Sequence, residues 1–255
     1  MNKVILSLLL LIFSILFATD SSAQPVIEVE YYRPLDAADG GYLEGNFSYR
    51  LHCNSRESLF VFLTQDDIAS DQRNNPGQLS LTIWLGDKEH WIYKDLPGKM
   101  LTEFQISIQE NKYLIEDEVH PMQWEITPET KVIQGMPVKK ARCEHRGRHY
   151  TAWFAPGIPL ANGPWKLGGL PGLILEAYDD KKEVVFLFKA IRQLERVPIS
   201  KPASKGRKVS LTKFLDLNKK ETKQYFEFIE ARMKSNGGDF NIDFDLKYKS
   251  WEYLK

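Results

Sequence analysis

The chain has no surplus of charge. Its 255 residues carry 34 Lys and Arg against 34 Asp and Glu, a formal net charge of zero. A nucleic-acid binder needs a basic excess to neutralise phosphates, so that class is excluded as a reading of the composition. A disordered charged tail needs few aromatics and a large net charge, and neither is present, since 12% of residues are aromatic. Cysteine is scarce, with two in the whole chain, Cys53 and Cys143. That excludes a densely cross-linked small scaffold. Catalytic signatures are missing too. There is no Gly-x-Ser-x-Gly elbow, no His-Glu-x-x-His, and no cysteine with a motif-like histidine partner. No repeat, low-complexity tract or second-domain linker breaks the sequence.

One long apolar run is present, and it lies at the start. Met1-Asn2-Lys3 precedes an apolar stretch from Val4 to Phe17, followed by small residues at Ser21-Ser22-Ala23. A charged n-region, a short h-region and this site read as a secretory signal peptide over residues 1–23, cleaved after Ala23. The run is short for a membrane span, which needs about 20 apolar residues. No later segment is long enough, so no transmembrane span is expected after cleavage. Export places the protein in the periplasm, at the outer membrane or at the cell surface. In that oxidising setting Cys53 and Cys143 are a candidate disulfide, with two separate thiols as the alternative.

The mature chain, residues 24–255, reads as a single β-rich domain. Short strands are expected at Val26–Tyr32, Ser58–Thr64, Leu79–Leu85, His90–Tyr93, Leu101–Ile108 and Lys112–Glu116. The series continues at Gln123–Ile126, Val138–Glu144, His149–Phe154, Leu173–Tyr178 and Glu183–Ile191. In the last, Val184, Phe186 and Phe188 share one face while Val185 and Leu187 fill the other, the pattern of a strand in mid-sheet. A linker-like excursion spans residues 197–210. One α-helix follows at about 218–235, with Asn218 and Glu221 as a capping box, ending at Asn236-Gly237-Gly238. Phe240 to Tyr248 then alternates as a final strand. The expected class is mainly β: an antiparallel, strongly curved sheet, an open barrel or bowl.

Between residues 131 and 178 a dense set of motifs appears in order. Lys139-Lys140-Ala141 comes first, then Gly147-Arg148-His149-Tyr150-Thr151-Ala152-Trp153, Ile158-Pro159 and Gly163-Pro164-Trp165-Lys166. The hexapeptide Gly169-Leu170-Pro171-Gly172-Leu173-Ile174 closes the set. This resembles the GLPGLI family of exported proteins from Bacteroidota. The resemblance implies an envelope protein without an established activity, commonly encoded beside TonB-dependent outer-membrane receptors. A similar-looking bowl-shaped β domain precedes the catalytic domain of some bacterial N-glycanases, where it is not the catalyst. Family members often carry cysteines at the places held here by Val138 and Gly168, so a family disulfide pattern does not transfer.

The hexapeptide itself reads as architecture. Its glycines permit backbone shapes other residues resist, Pro171 fixes φ, and its leucines anchor a strand entry. A phosphate cradle is disfavoured because a β-like run follows it, not a helix.

Candidate ligand contacts are Arg148, Tyr150, Trp153 and Trp165. Arg148 could grip a carboxylate or sugar hydroxyls bidentately, or else serve an ion pair. Trp84, Trp91, Trp124, Trp153 and Trp165 could stack on sugars or clamp peptides, though core packing is the plainer use. Cys143, His145 and His149 would share one face of an unbroken strand, but Gly147 reads as a hairpin turn, and no metal site is expected. Glu116, Asp117 and Glu118 read as a solvated strand end. No catalytic residue and no cofactor is assigned. The function expected is a non-catalytic binding or accessory role toward a peptide, a glycan or an outer-membrane partner. A hydrolase with an unfamiliar carboxylate or histidine site, and a purely structural assembly factor, are the alternatives.

Overall fold

The computed structural model describes residues 25–34, 46–63, 89–195 and 198–235. Four expectations fall outside them: the signal peptide at 1–23, the strand at Leu79–Leu85 with Trp84, the helix stop at Asn236-Gly237-Gly238, and the final strand at Phe240–Tyr248.

Twelve strands form one sheet: β1 (Val26–Pro34), β2 (Asn46–Cys53), β3 (Glu57–Leu63), β4 (Trp91–Asp95), β5 (Met100–Ile106), β6 (Lys112–Glu118), β7 (Glu125–Ile133), β8 (Met136–His145), β9 (Arg148–Ala155), β10 (Leu173–Asp179), β11 (Val185–Leu194) and β12 (Arg207–Ser210). Their order across the sheet is β12-β6-β5-β4-β3-β2-β1-β11-β10-β9-β8-β7. All pairings are antiparallel except β12 with β6. The mainly β, open and curved architecture expected from the sequence is what the chain adopts.

Local chemistry explains the connections. Gln134-Gly135 and Arg146-Gly147 both have positive φ, at 44° and 83° and at 49° and 74°. Those pairs make the two-residue turns whose twist matches antiparallel strands, joining β7 to β8 and β8 to β9. The turn at Gly147 therefore breaks the extended run that would have aligned Cys143, His145 and His149. Between β1 and β10, β11 occupies the mid-sheet place its two apolar faces require.

Strand alternation divides each central strand between two environments. Val29, Tyr31, Tyr49, Leu51, Cys53, Phe60 and Phe186 point inward and are buried in one large core. That core also takes Val138, Ala141, Tyr150, Ala152 and Phe154 from the far end of the sheet. Curvature thus lets strands distant in sheet order share one interior. An ion pair shows the same closure, because Asp117 on β6 meets Arg146 of the β8–β9 turn at 2.7 Å.

The helix α1 spans Leu211–Ser235, seven residues longer at its start than expected. Ser210 provides the true cap, its Oγ accepting the Lys213 N–H at 3.3 Å. Asn218 is interior instead, and its carbonyl accepts the Thr222 hydroxyl at 2.7 Å. The first turns pack Leu211 and Phe214 on Tyr113, Ile115 and Val209, a second small core over the β6–β12 edge. Strands β2 and β12 are additions to the expected series, and β7 runs well past Ile126.

Candidate functional site

Arg148, Tyr150 and Trp153 are placed by the strand β9 and the turn before it. Arg148 opens β9 directly after the turn, and its side chain is 4% exposed. Its Nη1 donates to Asp179 and to Glu183, each at 2.6 Å. Asp179 also accepts the Val184 N–H at 2.9 Å, so the pair ties β9 to the β10–β11 connection. Tyr150, two residues on, is buried, and burial pushes its hydroxyl above the usual phenol range.

Trp153 lies on the other face of β9. Two ammonium groups cover its ring, Lys131 at 4.5 Å and Lys140 at 5.7 Å from the centroid. Lys131 pairs in turn with Glu176, and Lys140 with Glu129 at 2.7 Å. Trp165 is buried in the loop before the hexapeptide, with a left-handed φ of 53°. All four candidate contacts are therefore buried, and three of them have charged partners from the same chain, Trp165 through Lys166 at 5.7 Å from its ring centroid.

Residues 156–172 form the irregular segment linking β9 to β10, and it is hydrogen-bonded along its length. Asn162 bridges to Gly168, the Gly169 N–H donates to Ala161 O at 3.1 Å, and the Leu173 N–H to Ile158 O at 2.9 Å. Leu170, Leu173 and Ile174 are buried in the main core. The Ile174 carbonyl accepts the Tyr31 hydroxyl at 2.7 Å, fixing the hexapeptide to mid-sheet. Gly172 has φ +155°, and a Cβ there would sit 2.4 Å from the Ala155 carbonyl oxygen. Gly163 is crowded by a side chain, its Cβ position lying 2.8 Å from Ile174 Cβ.

Two buried lysines fasten this segment to the strands β4 and β5. Lys94 on β4 donates to Asn162 Oδ1 at 3.1 Å, Leu167 O at 2.9 Å and Gly163 O at 3.4 Å. Burial lowers its pKa to about 7, against a smaller opposing pull from Cys53. Lys166 reaches β5, where its Nζ lies 2.7 Å from Glu103. Glu103 also receives His90 at 2.7 Å and Gln105 at 2.5 Å. Burial alone would raise that carboxyl, but Lys166 and His90 outweigh it and hold it low. Trp124 adds an indole N–H to Gly168 O at 2.8 Å.

Lys94 gives a pH dependence whose sign is fixed. The unfolded chain keeps this proton up to its ordinary 10.5, while the folded chain releases it from about 7. The unfolded state therefore binds more protons in that window, and stability rises with pH. Between pH 7 and about 8.5 stability should rise by about 2 kcal/mol. Denaturant unfolding across that range should show the rise in the native protein, and Lys94→Met should flatten it.

Where carboxylates meet histidines, the acid–base poise is poor. Asp117 is pushed up by burial but pulled below the usual carboxylate range by Arg146. His145 is lowered to about 4 by burial, then by Arg146 and His120. Glu116, His120 and His149 are exposed. Among the described residues no group of three or more His, Cys, Asp or Glu side chains could hold a metal. Cys53 and Cys143 are both buried and both free, so the candidate bridge between them is not formed. Each thiol is pushed up to about 12 by burial and is a poor nucleophile.

Sequence reasoning did not single out Lys94, Glu103 or Lys166 as structural centres. Lys166 stood within the quoted Gly-Pro-Trp-Lys step. Lys94 had only one signal, a lysine amid the apolar residues of a strand.

A comparison with curated proteins finds no match. Among solved structures the fold is similar to PNGF-II in its P21 and C2 crystal forms, with TM-scores of 0.55 and 0.53 at 14% identity. The similarity covers 78% of this chain and 34% of that one, so the chain spans about a third of PNGF-II's length. At that identity the likeness is one of fold alone. Residues 139–176, from β8 through the hexapeptide into β10, match the model of a family described as a protein of unknown function, Porph_ging.

Proposed function

We propose that this is an exported envelope protein with a binding or accessory role, holding a peptide, a glycan or a partner chain such as a TonB-dependent outer-membrane receptor. One observation carries the non-catalytic part of this reading. The ionisable groups around the motif segment are engaged with one another: Arg148 with Asp179 and Glu183, Lys166 with Glu103, and Arg146 with Asp117. A general acid must hold a proton near working pH, and Asp117 and Glu103 are both held low. The leader-like start supports export, and the resemblance to GLPGLI proteins supports the envelope setting. No helix among the described residues is long and apolar enough to cross a membrane.

The test uses the protein made in an envelope-bearing host. Its mature N-terminus should be Gln24, and chemical crosslinking should recover an outer-membrane receptor, or arrays a peptide or glycan ligand. Catalytic turnover of an array compound, lost in Asp117→Asn, would replace this reading with the hydrolase. Retention of residues 1–23 on the mature chain would overturn export with cleavage.

A further inference from the structure

The outward face at the centre of the sheet holds an arrangement the proposed role does not use. Strand register places Arg192 on β11, Glu28 on β1 and His52 on β2 side by side. The next row outward is Ala190, Glu30 and Arg50. These side chains alternate with Val29, Tyr31, Leu51 and Cys53, so they lie on the face opposite the main core.

Glu28 is the hub and is itself 4% exposed. It accepts Arg192 Nε at 2.5 Å and His52 Nε2 at 2.7 Å. Burial would raise its pKa, but Arg192, His52 and Arg50 together lower it, so it stays an anion. Arg50 is placed differently. Its Nε lies 3.7 Å from Glu28 and its Nη2 3.6 Å from Glu30, beyond hydrogen-bond distance in both cases. Its Nε is buried and has no hydrogen-bond partner among the described residues. Arg192 donates through Nε, among the described residues, and its side chain is 63% exposed. A bulge between Glu30 and Tyr31 leaves Lys189 outside the register, with its ammonium 3.2 Å from Glu30. Such bulges re-aim side chains.

The side chains of Arg50, Arg192 and Lys189 thus surround two carboxylates, and the guanidinium groups of Arg50 and Arg192 converge over one of them. A buried donor without an acceptor costs free energy. Arg50, with a side chain 35% exposed and held only loosely by the two carboxylates, stands beside the exposed Arg192, and such a pair fits an incoming oxyanion, which guanidinium forks bind bidentately.

We infer that this face is a binding site for an oxyanion, a phosphate or carboxylate group carried by a ligand, gripped by Arg50 and Arg192. Lys189 flanks the site, and Glu28 sets the spacing of the two arginines. The site lies on the sheet face opposite the core and stands whether or not the proposed role holds.

The experiment is a titration of the full chain, at low ionic strength, with inorganic phosphate in one arm and glucuronate in the other. Binding is followed by the arginine Nε–H resonances and by calorimetry. Saturable binding of either anion is expected, weakened at least tenfold in Arg50→Gln and in Arg192→Gln, with partial recovery in Arg50→Lys. Tighter phosphate binding assigns a phosphoryl group, and tighter glucuronate binding assigns an acidic sugar. Thermal melts report folding, and the exposed Arg192→Gln serves should Arg50→Gln fail to fold. Absence of saturable binding by both anions, or equal binding by the native chain and both Gln variants, would overturn the assignment.

Discussion

Gly172→Ala should destabilise the protein by about 4 kcal/mol, while Gly169→Ala, three residues earlier in the same hexapeptide, should cost only about 1 kcal/mol. Both glycines have positive φ, +155° and +86°. Their surroundings differ. A Cβ at Gly172 meets the Ala155 carbonyl oxygen at 2.4 Å and its carbon at 2.8 Å, and backbone cannot swing aside as a side-chain tip can. At Gly169 nothing lies within 4 Å, so only the conformational cost remains. At roughly 2–4 °C per kcal/mol for a domain of this size, melting temperatures separate the two variants clearly. Equal, small shifts would show that the hexapeptide is not a close-packed crossing of β9 and β10.

The second large effect belongs to Arg148. Arg148→Met removes one member of a buried cluster and takes away the guanidinium that Asp179 and Glu183 both accept from. Breaking such a pair from one side costs about 3–5 kcal/mol, because the remaining charge stays in a poorly solvated place. Chemical denaturation at pH 7 measures this. A loss below about 1 kcal/mol at pH 7 would return Arg148 to the pool of ligand contacts.

Much of the fold was legible because the sheet is built from strong local patterns. The two apolar faces of β11 foretold its central place, and Gly147 foretold the turn that separates His145 from His149. Strand β2 was legible in principle too, since Phe47, Tyr49, Leu51 and Cys53 alternate with Ser48, Arg50 and His52. The start of α1 was hidden because Ser210 caps it from within a four-residue strand, and that strand looked like linker. Asn218 and Glu221 imitate a cap in mid-helix, where Asn218 is wound into the hydrogen-bonded ladder.

The site was less legible, for a physical reason. Sequence shows which groups are ionisable but not which will meet, and here the meetings cross the sheet. Lys94 and Leu167, or Lys166 and Glu103, become neighbours only when the curved sheet folds over its own loop. Arg148 could be singled out as a polar residue in a motif, whereas its two carboxylate partners lie across the next strand and turn. The same closure decides the cysteines. Both enter the main core, yet they remain separate thiols.

The central claim is that residues 156–172 brace the fold from within and are not a mobile binding loop. Backbone amides of Asn162, Leu167, Gly169, Gly172, Leu173 and Ile174 all donate to carbonyls within the segment, and two buried lysines clamp it to β4 and β5. Native-state hydrogen exchange tests this most directly, because protection reports the free energy of local opening. The account predicts that these amides exchange as slowly as those of β9 and β10, through global unfolding. Exchange as fast as in the exposed turn at Asp180–Lys182 would contradict it.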